Sequence, residues 1–301
     1  MKNFPYCIIR SLFYLISLLP FWVIYILADV LYFLIYYVIG YRKKIVRKHL
    51  VDCFPEYTVE KRLKIEREYF RLMSDYILEN IKLVRISKKS MMKRMTFSGV
   101  DDIVETMKEQ PIVLVYLSHM GNWEYVASLK YWVPEDVHAA QLYHKLHNPY
   151  VDRLMKEIRE QYGGECILMK DTLRRILEFK RDNRKVVIGF IADQVPSNDN
   201  VHGGTMFLNH ETYFASGVEK IATKLNAPVA YAELSRIKRG HYHVHFSMVT
   251  IAPKEYEKDE LTNIYASMLE KSIRKDPALW LWSHRRWKRI PIYAQKKHQQ
   301  A

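Results

Sequence analysis

His119 and Glu124 form an H-x-x-x-x-E pair inside the stretch Pro111 to Trp132, PIVLVYLSHMGNWEYVASLKYW. Histidine is the side chain whose ordinary pKa suits proton transfer near neutral pH. A carboxylate in reach can fix its tautomer and stabilise the imidazolium that forms, so the expected chemistry is general-base activation of a hydroxyl. Glu124 is the expected orienting carboxylate. Gly121 lets the backbone turn tightly between the two. Backbone N–H groups around Gly121 and Asn122 are candidates to stabilise an oxyanion at a helix start. The spacing alone is a weak signal, because His and Glu fall this far apart often by chance.

The elements around the pair strengthen it. Ile112 to Leu117 is an apolar, β-branched run that ends abruptly at Ser118, and a helical pattern takes over from Tyr125. Strand, turn and helix in that order place the turn at the carboxyl end of a strand, where open α/β sheets bind ligands. Val186 to Ala192 is a second apolar strand of the kind expected in a buried parallel sheet, and it ends in Asp193 and Gln194. These two residues are candidates to bind an acceptor or to fix the active-site loop. A loop-stitching aspartate is the plainer alternative.

Further strands are expected over Val137 to Tyr143, Cys166 to Met169, Ala227 to Leu234 and His241 to Ile251. Helices are expected over residues 57–88, Tyr150 to Tyr162, Leu173 to Phe179 with Asp171 as N-cap, Thr212 to Asn226 and Asp259 to Lys275. The alternation predicts an α/β fold, a central mostly parallel sheet flanked by helices. A Gly/Asn/Asp-rich loop is expected from Ser197 to Gly204.

Residues 11–41 contain a single formal charge, Asp29, between Arg10 and Arg42. The run suffices for one tilted membrane span, or for a helix broken near Pro20 that dips into one leaflet. Arg42, Lys43, Lys44, Arg47 and Lys48 follow at once, which by the positive-inside rule keeps the rest of the chain cytoplasmic. The expected organisation is an anchor over 1–41, a basic juxtamembrane segment and helical arm over 42–95, a catalytic domain over 96–295 and a flexible tail over 296–301.

The net charge of +14 over 301 residues points to anionic partners. The three cysteines, Cys7, Cys53 and Cys166, make neither a metal spacing nor a disulfide framework. His241, His243 and His245 share a strand face and could hold a metal, which makes a membrane-anchored hydrolase a competing class. A nucleic-acid-binding protein would explain the charge but neither the apolar N-terminus nor the His119 turn. Ser118, Ser216 and Cys166 are weaker candidates as nucleophiles, with no nucleophile elbow around either serine. No phosphate-binding glycine loop is present, so no nucleotide cofactor is expected.

The ordered series Arg47 to Glu56, Ser118 to Glu124, Tyr143, Asn148-Pro149, Asp152 to Leu154, Ala192 to Pro196, Asn226 to Pro228 and Trp280 to Trp287 resembles the bacterial lipid A biosynthesis acyltransferases of the lauroyl/myristoyl type. These belong to the glycerolipid acyltransferase superfamily. The resemblance covers nearly the whole chain. It implies transfer of a fatty acyl chain from an acyl carrier protein thioester to a hydroxyl of a lipid A precursor, without a cofactor, at the inner membrane. It carries the family's catalytic pair onto His119 and Glu124. It implies substrate binding by His144, Lys145, Asn148, Arg153, Asp193 and Gln194.

Two positions depart from the family pattern. The Tyr-Arg-Pro block reads Tyr143-His144-Lys145, and the asparagine of an Arg-x-Asn-Leu segment is His49. Histidine and lysine cannot reproduce an arginine's bidentate grip, so another acceptor, an aminolipid or glycolipid, is the alternative within the same chemistry. Arg42, Lys43, Lys44, Arg285 and Arg286, with Lys288, Arg289 and the interleaved Trp280, Trp282 and Trp287, are expected to face the membrane or the acidic carrier. Core tryptophans beside a solvated helix end are the alternative. Arg174 and Arg175 are weaker candidates to bind an anionic acceptor or the carrier.

Overall fold

The computed structural model describes residues 4–196 and 204–288. The expected loop at 197–203, Arg289 and the tail lie outside the described residues. The chain begins with α1 (Phe4–Leu18) and α2 (Phe21–Phe33), which continues as a π-helical turn (Leu34–Ile39). Pro20 separates α1 from α2, because proline cannot donate to the preceding turn and restricts the residue before it. Then follow α3 (Lys43–Cys53), α4 (Val59–Lys82), α5 (Lys88–Arg94), β1 (Met95–Ser98), α6 (Val100–Thr106) and β2 (Ile112–Leu117). The next elements are β3 (His138–Tyr143), α7 (Pro149–Glu160), β4 (Glu165–Leu168), α8 (Thr172–Arg181) and β5 (Val186–Ile191). A small hairpin, β6 (Thr205–Phe207) with β7 (His210–Thr212), precedes α9 (Gly217–Leu225), β8 (Val229–Lys238), β9 (His241–Thr250) and α10 (Glu260–Lys275).

Seven strands form one sheet in the order β1-β9-β8-β2-β5-β3-β4. All neighbours are parallel except β8 and β9. The two near-continuous apolar runs, β2 and β5, lie side by side in the middle, as strands covered on both faces must. The expected mostly parallel sheet flanked by helices is therefore present, with an apolar helical pair at the N-terminus.

Three local expectations need correction. The element after the His119 turn is a 3-10 helix, Trp123–Tyr131, rather than an α-helix. Asp171 precedes α8, but its side chain makes no capping bond. Thr212 belongs to β7, and the helix expected from there begins only at Gly217; Asn226 ends it in the left-handed conformation.

Helix α4 is not a free arm. One face carries Ile65, Tyr69, Phe70 and Leu72 into the same core as the sheet. Ile24 and Ala28 of α2 pack on Leu78. Polar ties add to this packing. Lys82 donates to the carbonyls of Ser17 and, at 2.7 Å, Leu19, satisfying the orphan carbonyl end of α1. Arg239, at the β8–β9 turn, bonds buried Asp75 of α4 at 2.6 Å and Asp29 of α2 at 2.7 Å. The single charge of the apolar stretch is thus paired to the protein.

Replacing Arg239 by Met strands Asp75 as a buried, unpaired carboxylate. Because Arg239 is itself part-exposed, the loss should sit near the low end for a broken buried pair, about 3 kcal/mol. A lowered urea midpoint in detergent, with earlier protease cleavage of α2, checks it. An unchanged midpoint would remove the tie from the account of the fold.

Candidate active site

The register between β2 and β5 builds the site. Leu117 pairs with Ile191, so two residues beyond each strand His119 and Asp193 come level. The Nδ1–H of His119 donates to Asp193 Oδ1 at 2.6 Å, and the His119 backbone N–H donates to Oδ2 at 3.0 Å. The indole N–H of Trp280 donates to Oδ2 at 2.8 Å. A proton on Nδ1 leaves Nε2 as the acceptor, and it takes the side-chain N–H of Gln194 at 3.2 Å. The Trp123 ring stands edge-on to the imidazole, with centroids 4.9 Å apart.

Asp193 is almost wholly buried. Burial pushes its carboxyl up, but the charge that His119 carries when protonated and the hydrogen bonds from His119 and Trp280 overcome it and hold the group below the usual aspartate range. A charged acceptor on Nδ1 and an Nε2 lone pair held by no more than a neutral amide N–H is an arrangement that can serve a general base. Neighbouring His284 accepts from Val195 N at 3.4 Å. Burial pushes its ring down to about 4 against the pull of Asp193, so it stays neutral.

Glu124 is not the orienting carboxylate. Both its oxygens are held by Arg159 of α7, at 2.7 and 2.6 Å, in a buried bidentate pair. The 3-10 helix aims Glu124 at α7, and a planar guanidinium is a stronger partner for a buried carboxylate than an imidazole. Sequence reading missed Arg159. Its only signal was an arginine among the regularly spaced apolar residues of an amphipathic helix.

Gly121 has φ +52°, and an added Cβ would come 2.6 Å from Leu234 Cδ2, so both conformation and space call for glycine. Its amide donates to the Leu279 carbonyl at 2.9 Å, which commits the hydrogen expected for an oxyanion. Leu281 N returns a bond to the His119 carbonyl at 3.1 Å, and Met120 bridges Trp280. The segment Leu279 to Ser283 therefore forms a strap whose first three residues bind the His119 turn. Asn122 is fully buried and donates to Glu79 of α4 at 2.8 Å, so its side chain serves the fold of the turn. Glu79 is a second site residue that sequence reading missed.

The remaining expected residues separate. Gln194 and Asp193 meet His119. Asn148 caps α7, accepting from Tyr150 N at 2.9 Å and Val151 N at 3.2 Å. Arg153 pairs with Glu157 at 2.9 Å and lies over the Tyr6 ring. His144 and Lys145 are exposed after β3, which β5 separates from β2.

Arg286 is 3% exposed, and it bonds the Tyr213 carbonyl at 2.6 Å, so it is a core residue rather than a surface charge. Trp280 and Trp282 are also buried. Arg42 donates to the Ser283 carbonyl at 3.0 Å, and Lys43 lies over the Tyr36 ring. Lys44, Arg285 and Lys288 remain exposed. Arg174 pairs with Glu178, and Arg175 with Glu165 and Glu178. His49 bonds the Trp282 carbonyl at 3.0 Å, stitching α3 to the strap. His243 is bonded by Thr96 and Ser98, and His245 by Ser98. Among the described residues no histidine, cysteine and carboxylate group is arranged to hold a metal. Cys166 is buried, and burial raises its thiol to about 11, which leaves little thiolate for a nucleophile.

His284 yields a pH prediction. Its folded pKa lies below the unfolded value, so the unfolded chain takes up a proton first as pH falls from about 6.5 towards about 4. Stability should drop across that window, and His284→Gln, which keeps an acceptor for Val195, should flatten the drop. Melting curves at pH 7 and pH 5 for both chains read it. Equal acid losses would show that His284 is not the source.

The family model of bacterial lipid A biosynthesis acyltransferases matches residues 6–289. The chain is 22% identical over 263 residues to the lipid A biosynthesis palmitoleoyltransferase of Escherichia coli (strain K12), covering 83% of this chain and 80% of that one. It is 25% identical over 133 residues to a lipid A biosynthesis acyltransferase of Haemophilus influenzae, covering 44% of this chain and 41% of the relative. A match spanning the apolar N-terminus, the His119 turn and the Trp280 strap shows that the chain belongs to the bacterial lipid A biosynthesis acyltransferase family and is an O-acyltransferase.

Proposed function

We propose that the chain moves a fatty acyl group from an acyl carrier protein thioester to a hydroxyl of a lipid A precursor, with His119 as general base and Asp193 as its orienting carboxylate. The observation that carries this reading is the His119–Asp193 bond, which leaves Nε2 unprotonated and facing Gln194. The acceptor hydroxyl displaces Gln194 from Nε2 and gives up its proton as its oxygen attacks the thioester carbonyl. The imidazolium so formed is stabilised by Asp193. The tetrahedral intermediate collapses by breaking the C–S bond, and Nε2 returns the proton to the leaving thiolate. A thioester is already an activated donor, so no acyl-enzyme is required. The freed side-chain amide of Gln194 is an N–H donor at hand for the oxyanion.

The same reading places α1 and α2 in the membrane. Leu12, Leu15, Trp22, Ile26, Val30 and Phe33 are exposed along their outer side. Phe21–Ile39 is long and apolar enough to cross a bilayer. Its inner side is tied to α4 and Arg239, which favours a pair lying in one leaflet over a free span. Exposed Lys44 and Lys48 beside it suit anionic head groups of the inner membrane's cytoplasmic face. Lys145, Arg285 and Lys288 suit an acidic carrier protein.

Mass spectrometry of lipids from cells lacking the chain, or carrying His119→Ala or Asp193→Asn, tests this function. All three should lose one acyl chain from lipid A. In purified protein Asp193→Asn should cost about 10³–10⁴-fold in kcat, as when the carboxylate behind a catalytic histidine is neutralised. Near-normal turnover by either variant would sink the mechanism. Intact lipid A with another acylated lipid missing would move the acceptor and keep the chemistry.

A further inference from the structure

A second buried acid stands behind the catalytic turn, outside the His119–Asp193 hydrogen-bond set. Glu79 of α4 is fully buried and accepts three hydrogen bonds from three separate parts of the chain. Asn122 Nδ2 lies at 2.8 Å, the Tyr25 hydroxyl of α2 at 3.1 Å and the Tyr242 hydroxyl of β9 at 3.2 Å. A carboxylate can accept all three at once, whereas a neutral amide in its place offers a single acceptor oxygen. Asn122 is where the chain leaves left-handed Gly121 and enters the 3-10 helix. It therefore sets the path between His119 and Trp123, whose rings touch. Tyr242 serves the same turn twice, because its ring also lies within 3.2 Å of where a Cβ on Gly121 would sit.

We propose that Glu79 is a positioning residue for acyl transfer: it locks the Asn122 end of the catalytic turn, and through Tyr25 it makes the seating of α2 part of that lock. The inference rests on His119 being the base. It gives the apolar N-terminal helices a part in the geometry of the site besides any attachment they provide. Burial pushes the Glu79 carboxyl up to about 7. Asn122 pulls it down, Asp75 pushes it up, and Tyr25 and Tyr242 pull it down. Tyr125 and Arg94 also face this region, as do Asp29 and Arg239 through Asp75. Glutamine, which keeps the shape and one acceptor oxygen, is the conservative substitute for Glu79.

The test is steady-state transfer by the full chain in mixed micelles, with Glu79→Leu, Glu79→Gln and Tyr25→Phe compared at matched, verified folding. Glu79→Leu should lose about 100-fold in kcat, the scale of a misplaced catalytic group, with both KM values within about threefold. Glu79→Gln, which still accepts from Asn122, should recover most of that loss. Tyr25→Phe should lose several-fold in kcat although it lies on α2. A folded Glu79→Leu with normal kcat overturns the proposal, and so does a Glu79→Gln as slow as Glu79→Leu. If Glu79→Leu does not fold, Tyr25→Phe decides, and a normal kcat there overturns the proposal. A wild-type chain that transfers no acyl group would sink the acyltransfer reading instead. The crystal structure of Tyr25→Phe against wild type then decides the lock, with a shifted Asn122 supporting it and an unmoved one overturning it.

Discussion

One buried negative charge organises the carboxyl end of β2 and β5. An aspartate without water is prohibitively costly unless donors replace its hydration. Asp193 obtains them from two segments far apart in sequence, the His119 turn and the Trp280 strap. The same bonds that make the aspartate tolerable fix the imidazole's tautomer and hold the strap against the turn. Parallel pairing of β2 with β5 makes this possible, because it brings the residues after each strand level. The strap then closes the arrangement, its backbone bonded to His119 and Gly121 on one side and to Arg42 and His49 on the other.

Three carboxylates surround one turn, and their partners give them three different characters. Asp193 faces an imidazole and an indole N–H and stays charged. Glu124 faces a guanidinium that grips both its oxygens. Glu79 is bonded only to neutral donors and rises to about 7. The acids are separated in role by what each touches rather than by type. The His119 side chain is 18% accessible, and its Nε2 meets the Gln194 amide rather than a carboxylate. On the proposed mechanism, that asymmetry directs proton transfer to one atom.

Much of this was legible in the chain itself. The apolar runs at Ile112 and Val186 mark buried parallel strands, and polar residues just beyond them mark the site. What periodicity does not contain is strand order. Glu124 is near His119 in sequence, whereas Asp193 becomes its neighbour only because β5, and not β3, lies beside β2. Local spacing therefore pairs His119 with a carboxylate that the fold turns towards Arg159, while Asp193 takes the place beside the ring. Arg286 and Trp282 failed for a similar reason, since a basic-aromatic cluster reads as surface until the strap folds it inward. Arg159 and Glu79 had no distinguishing signal, because each is a charged residue on an amphipathic helix and only tertiary packing shows that it faces in.

The N-terminal helices connect this geometry to a lipid substrate. A span free in a bilayer can tilt and slide to match its thickness. Here α1 and α2 are tied to α4 and the β8–β9 turn through Lys82, Asp29 and Tyr25, and the last of these ties ends on Glu79. Any sliding of α2 along its axis breaks bonds whose buried members have no water to turn to. On the proposed membrane seating, the depth at which the helices sit in a leaflet sets the height of His119 above the hydrocarbon. On the proposed function, with a lipid acceptor and a donor carried by a soluble protein, that height decides whether both reach one nitrogen. A rigid anchor serves this requirement and a flexible tether does not.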